Sequence, residues 1–185
     1  RCYLSAAERG HAWAQFNLAT LLLHSDDFAA DPSRALAWYV RSARRGNVKA
    51  MTMVGRFIEH GWGRHPRPEA ARRWYRKAAL GGDYRGQFDH ARTLYEGGFV
   101  DEAISWFSRS IETAVPDFCR LAEPGLRTAG HPALDALADR ALERVRDVEV
   151  RAAAAMRAEL ARAEAIRRAK PRRRLALSWL RWRRS

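Results

Sequence analysis

The same phrase recurs along this chain at a fixed interval. "WYVRSARRG" begins at Trp38 and "WYRKAALGG" begins at Trp74, 36 residues later. Aligned on Cys2, Trp38, Trp74 and Trp106, the steps are 36, 36 and 32 residues. The next position reads Tyr3, Tyr39, Tyr75 and Phe107. Four and five positions on come Ala6-Ala7, Ser42-Ala43, Ala78-Ala79 and Ser110-Ile111. The eighth position reads Gly10, Gly46 and Gly82, then Ala114, so the fourth copy starts well and drifts. A period in the range of 20–50 residues is the mark of a repeat architecture, in which no single unit can bury its apolar face alone.

Each period divides into two helical stretches. Asp31 is a natural cap, Pro32 suits the first helical position and Gly46 is a stop signal. Asn47 and Gly61 bracket the next stretch, whose apolar residues Ala50, Met51, Val54, Phe57 and Ile58 follow helical spacing. The third copy predicts helices over 84–96 and 101–113. No segment alternates at period two, so no sheet is expected. The fold class is all-α: a superhelical α/α solenoid of antiparallel helix hairpins with a long C-terminal helix. Small residues such as Ala14, Ala19, Ala50 and Gly55 let paired helices approach. Trp38 and Trp74 are expected to fill the space between one hairpin and the next.

These residues resemble the Sel-one-like repeat family, a relative of the tetratricopeptide repeats. "AQFNLATLLLHS", "AMTMVGRFIEHG" and "GQFDHARTLYEGG" match the first half of the family pattern, and "ALAWYVRSARRG", "AARRWYRKAALGG" and "AISWFSRS" match the second. The resemblance covers residues 1–110. Leu23 and Glu59 stand where the family has Tyr, which only Tyr95 keeps, and Gly86 replaces an Ala. The resemblance implies a protein–protein adaptor or scaffold without catalytic residues, often serving signalling, envelope or secretion systems in bacteria. The partner is an unidentified protein. Asn17, Arg56, Gln87 and Arg92 are the polar contacts the repeat faces offer it.

The chain divides into repeats over 1–115, capping helices over 116–170 and a basic tail over 171–185. Pro116 opens a helix that Pro124-Gly125 is expected to break. A breaker-free stretch then runs from residue 133 to about 170, one long helix of roughly 50 Å at 1.5 Å per residue. Leu134, Leu137, Leu142, Val145 and Val148 give its near half a face to cap the last repeat. Its far half carries Met156, Leu160 and Ile166 among alanines. That half reads either as a solvated helix or as an arm for dimerisation.

Net charge is +13, and the last 19 residues hold nine Lys or Arg and no acid. Arg172, Arg173, Arg174, Trp179, Arg181 and Trp182 suit an anionic membrane surface, with Trp at headgroup level and Arg on phosphate. Nucleic acid is the weaker alternative, and a solubilising end with no dedicated ligand is the third reading. The body outside the tail is nearly balanced and gives no reason to expect a polyanion there.

Chemistry is sparse. His11, His24, His60, His65, His90 and His131 form no dense ligand spacing, and Asp26-Asp27 reads as turn chemistry. No phosphate-binding loop, nucleophile elbow or dinucleotide fingerprint occurs. The chain is therefore expected to need no cofactor or metal and not to be an enzyme. Cys2 and Cys119 fix no compartment. A cytoplasmic setting is favoured, and a periplasmic one stays open because the chain begins at Arg1 in mid-pattern, as though residues precede it.

Overall fold

A computed structural model describes residues 2–24, 31–62 and 65–169 of the 185. The tail residues singled out above, and Asp26-Asp27, lie outside them. Nine α-helices and no strand occur among the described residues: α1 Cys2–Glu8, α2 Ala12–His24, α3 Pro32–Arg44, α4 Val48–His60, α5 Pro68–Leu80, α6 Tyr84–Glu96, α7 Val100–Thr113, α8 Pro116–Thr128 and α9 Pro132–Ala169. Residues 1–144 form one compact unit and residues 145–185 a second.

In the first unit, each helix from α1 to α7 packs on the next, and α4 also touches α6. The hairpins α2/α3, α4/α5 and α6/α7 are the three repeats. Asp31 and Asn47 cap α3 and α4 as expected. Asp31 Oδ1 accepts the Arg34 amide at 2.9 Å, and Asn47 Oδ1 accepts that of Ala50 at 3.1 Å. Asp83 Oδ2 accepts both the Gly86 amide at 3.0 Å and the Thr52 hydroxyl at 2.5 Å, which ties α4 to the start of α6. The repeated glycine has a backbone reason: Gly10, Gly46 and Gly82 sit at φ +91°, +89° and +85°, where an L side chain is strained. Ala114 holds the fourth such place at φ −67°, ψ 150°. There the chain leaves α7 extended and enters α8 at Pro116, so the repeat ends where its glycine ends.

The aromatic pairs divide differently from the sequence expectation. The second ring of each pair is the core residue: Tyr39 is 1% exposed, Tyr75 0% and Phe107 5%. Trp38, Trp74 and Trp106 are only half-buried. The tyrosines are the fully buried rings, while Trp38 and Trp74 pack one side against the core and leave the other open. Successive residues on a helix point about 100° apart, so only one ring of an adjacent pair can face the neighbouring helix squarely. Tyr39 shares a 3.0 Å hydrogen bond with the Thr20 hydroxyl and packs in a chain of rings with Phe16 and Phe57. Ser42, one turn on, donates to the Ala12 carbonyl at 2.7 Å and pins α3 to α2.

The small residues do set the helix approach. A Cβ on Gly55 would meet the Tyr75 ring at 2.5 Å. A Cβ on Gly86 would meet Ala78 Cβ at 2.5 Å and Thr52 Oγ1 at 2.8 Å, which explains why Gly86 departs from the alanine of the pattern.

Two further expectations are corrected. Pro124-Gly125 does not break α8, which runs through to Thr128. Phe118, Cys119, Ala122 and Leu126 are buried on one side while Pro124 and Gly125 face solvent, so the packed stripe outweighs the local cost of Pro. In α9, Leu134, Leu137 and Val145 are buried as expected, but Leu142 is only half-buried and Val148 is exposed; Ala138 and Ala141 complete the buried stripe. Within the first unit, Arg127 bridges Glu123 to Asp139, Arg140 reaches Glu112 at 3.4 Å, and Arg144 donates to the Ala114 carbonyl at 3.5 Å. In the second unit, Val148, Val150, Met156, Leu160 and Ile166 are all exposed. No helix among the described residues is long and apolar enough to cross a membrane.

Candidate functional site

The polar residues on α4 and α6 lie at matching positions of consecutive repeats, and they answer one another. Arg56 Nε donates to Asp89 Oδ2 at 2.8 Å. Arg92 donates to both oxygens of Glu59, at 2.7 and 2.8 Å, and to Glu96 at 2.7 Å. The Tyr75 hydroxyl reaches the same Glu59 carboxylate at 2.8 Å from α5. Burial alone would raise the Glu59 carboxyl, but the hydrogen bonds from Arg92 and Tyr75 and the Arg92 charge outweigh it, and Glu59 lies below its ordinary value. Burial pushes Asp89 the other way, above its ordinary value, against the pull of Arg56. Burial also raises the Tyr75 hydroxyl, and the Asp89 and Glu59 charges add to it.

The structure thus places Arg56 and Arg92 in a ladder that ties one repeat to the next. Gln87 is 7% exposed and donates from Nε2 to the Ala79 carbonyl at 3.5 Å. Gln15 makes the equivalent bond to Ala7 one repeat pair earlier, at 3.0 Å, so these glutamines hold the end of one helix to the next. Asn17 is half-buried on α2. Arg56 and Arg92 meet through the ladder, whereas Asn17 and Gln87 stand apart from it.

A different set of side chains recurs on α3, α5 and α7. Each half-buried Trp carries a cation three residues on: Arg41 lies 4.5 Å over the Trp38 ring, Lys77 5.1 Å over Trp74, and Arg109 4.8 Å over Trp106. Cation–π contacts of this length hold the cation against the ring while leaving its outer face to solvent. Trp38 and Arg41, with Arg44, Arg45, Glu8 and Gln15, line an open cleft of about 470 Å³. Sequence reasoning missed this row, yet its signal is present: the Trp-x-x-cation spacing appears in all three copies.

Charge follows the same division. Residues 31–80 hold twelve Lys or Arg against three Asp or Glu, so the near balance of the body conceals a basic stretch inside the repeats. α3 contains no acid, and α5 contains only Glu69, which pairs with Arg72 at 3.0 Å. Among the described residues, no group of three or more His, Cys, Asp or Glu side chains is placed to hold a metal ion.

Comparison with known proteins agrees with this architecture. Residues 14–47 and 48–83, the hairpins α2/α3 and α4/α5, each match the Sel1 repeat. The chitin synthase regulator SKT5 of Saccharomyces cerevisiae is 38% identical over 85 residues, which is 45% of this chain but 12% of that protein. A Sel1 repeat protein from Oxalobacter formigenes superposes with a TM-score of 0.64 at 20% identity, over 79% of this chain and 62% of that one. A protective antigen of uropathogenic Escherichia coli with an SLR fold superposes with a TM-score of 0.64 at 24% identity, over 78% of this chain and 32% of its own. These relatives come from a yeast and two bacteria, so the similarity does not confine the chain to bacteria. Residues 14–83 are two consecutive Sel1 repeats, and the chain is built on the Sel1-repeat solenoid fold.

Proposed function

We propose that this chain is a non-enzymatic adaptor that holds a protein partner on its repeats. The observation that carries the reading is the Trp–cation row on α3, α5 and α7. The polar ladder between α4 and α6 is occupied internally, whereas Trp38–Arg41, Trp74–Lys77 and Trp106–Arg109 repeat a solvent-facing pair at a fixed position. Tryptophan and arginine are the residues that most often carry binding energy at protein interfaces. A repeated pair offers a partner several equivalent anchors in a row. The yeast relative is by name a regulator of chitin synthase, which suits a protein that acts on another, although the match spans a small part of its length.

Site-specific photo-cross-linking in the native host tests this. A photoreactive residue at position 41, 77 or 109 should trap one and the same partner, and one at position 121 or 125, exposed on α8 away from the row, should not. Absence of any adduct, or the same abundant proteins at all five positions, refutes the adaptor reading.

A further inference from the structure

A second cleft lies between α5 and α6. It is open and holds about 440 Å³, within the range of roughly 300–1,000 Å³ typical of ligand sites. One wall is basic: Arg72, Arg73 and Arg76 come from successive turns of α5. Glu69 occupies Arg72 at 3.0 Å. Arg73 and Arg76 are exposed and have no carboxylate partner among the described residues. The facing wall, from α6, is polar within and apolar at its edge. His90 is 7% exposed, lies edge-on to Trp106 at 5.4 Å between ring centres, and its Nδ1 has no hydrogen-bond partner. Half-buried Leu94 and Phe99, which is 63% exposed, complete the rim.

We infer that this cleft receives an acidic peptide segment of the partner, with a carboxylate between Arg73 and Arg76 and an adjacent apolar side chain against Leu94 and Phe99. The argument is charge and shape complementarity. Two guanidinium groups one turn apart present donor forks to a carboxylate, the geometry that arginine recognises best. Glu69 pairs with Arg72 and Glu102 acts on His90, which leaves Arg73 and Arg76 as the cleft cations open to a further carboxylate. The apolar rim is wasted on a free inorganic anion, and a peptide uses both parts. The cleft is a concave notch between two helices, which fits a side chain better than a flat lipid surface. This inference rests on the adaptor reading and names the chemistry of what the adaptor holds.

The test uses the full chain and a fluorescein-labelled Glu-Glu-Glu-Leu-Phe peptide, with its Gln-Gln-Gln-Leu-Phe counterpart, in fluorescence anisotropy. The basic tail also attracts acidic peptides, so the readout is the difference among three proteins: wild type, Arg73→Ala/Arg76→Ala, and the tail variant Arg172→Ala/Arg173→Ala/Arg174→Ala. Arg73 and Arg76 are exposed, so their loss leaves the fold intact, which circular dichroism verifies. The glutamate peptide should bind wild type and the tail variant, and should bind Arg73→Ala/Arg76→Ala about tenfold or more weakly, the scale of lost charge-assisted hydrogen bonds. Phe99→Ala should weaken binding several-fold at unchanged salt dependence. Equal binding of the two peptides overturns the inference, as does affinity that follows the tail and ignores Arg73 and Arg76. Phosphatidylserine vesicles that depend on Arg73 and Arg76 while the peptide does not would also overturn it, in favour of a lipid ligand. If cross-links at 41, 77 and 109 survive while the peptide fails, this inference alone falls. If the peptide binds through the cleft and no cross-link forms, the adaptor row falls and the cleft stands.

Discussion

Gly55 is the position where the packing argument can be tested most sharply, because local and tertiary effects there have opposite signs. In the middle of α4, Gly55→Ala should help the helix by about 1 kcal/mol. The added methyl, however, would stand 2.5 Å from Tyr75 Cε1 and 2.7 Å from Cδ1, and Tyr75 is fully buried. Its ring cannot retreat freely, because its hydroxyl is bonded to Glu59, which Arg92 holds in turn. Overpacking of this kind costs about 1–3 kcal/mol. A hydroxyl bond lost as the ring moves adds about 0.5–1.5 kcal/mol. The net expectation is a destabilisation of about 1–3 kcal/mol, or a fall in Tm of roughly 3–10 °C for a domain of this size.

Urea and thermal unfolding of five proteins check the cause as well as the size. In a Tyr75→Ala background the clash is gone and only the helix gain is left, so Gly55→Ala should become neutral or stabilising. Gly125→Ala is the matched control. It also lies inside a helix, but nothing approaches its Cβ within 4 Å, so it should stabilise by about 0.5–1 kcal/mol. If Gly55→Ala is as stable as wild type, or if it remains destabilising without Tyr75, the close approach of α4 and α5 is not what the glycine serves.

Other outcomes follow from the same geometry. Tyr39→Ala should cost about 3–5 kcal/mol and Trp38→Ala less, measured side by side in urea, because Tyr39 is fully buried and Trp38 only half-buried. Glu59→Gln should destabilise by about 1–3 kcal/mol near neutral pH, since it removes the negative charge and turns one of two acceptor oxygens into a donor facing Arg92 and Tyr75. The sign of its pH dependence is fixed. Glu59 lies below its ordinary value of 4.5 in the folded chain, so its contribution is complete above that pH and is lost as pH falls through the folded value. The gap between wild type and Glu59→Gln, read by thermal unfolding, should therefore narrow in acid. Pro124→Ala should stabilise by about 1–2 kcal/mol, because the helix already runs through that position and regains a donor.

The fold was legible because its determinants are local and periodic. Caps, stop glycines and the 36-residue step each act within a few residues, and the helices fall within a residue or two of where those signals put them. What failed needed a partner helix to be seen. Pro124 reads as a breaker until Cys119, Ala122 and Leu126 are known to be packed on the opposite side. Gly86 reads as a departure from the pattern until Thr52 and Ala78 are found against it. The site was harder still. Arg56 and Arg92 look like free surface cations in sequence, because their acids Asp89 and Glu59 lie 33 residues away and meet them only when repeats stack. The basic stretch over 31–80 was hidden by averaging charge over a body whose other parts are acidic.

The division between the two aromatic residues has a consequence for how such a chain acquires a partner. On α3, Tyr39 shares its side with Ser42 and Ala43, and all three are buried. Trp38 shares its side with Arg41, which covers its ring. The same helix turn therefore carries one set of side chains that fixes the stack and another that faces solvent. Changes in the first set act on stability, because they alter the fit between helices. Changes in the second set alter charge and shape at the surface and reach the stack only through the buried side of the Trp. On α5 the outward positions hold Lys77, with Arg73 and Arg76 alongside, and on α7 they hold Arg109. The inward positions hold Tyr75 and Ala79, then Phe107 and Ile111. The inward positions repeat an aromatic ring and the outward positions repeat a cation, so each turn gives one ring to the stack and one charge to the solvent.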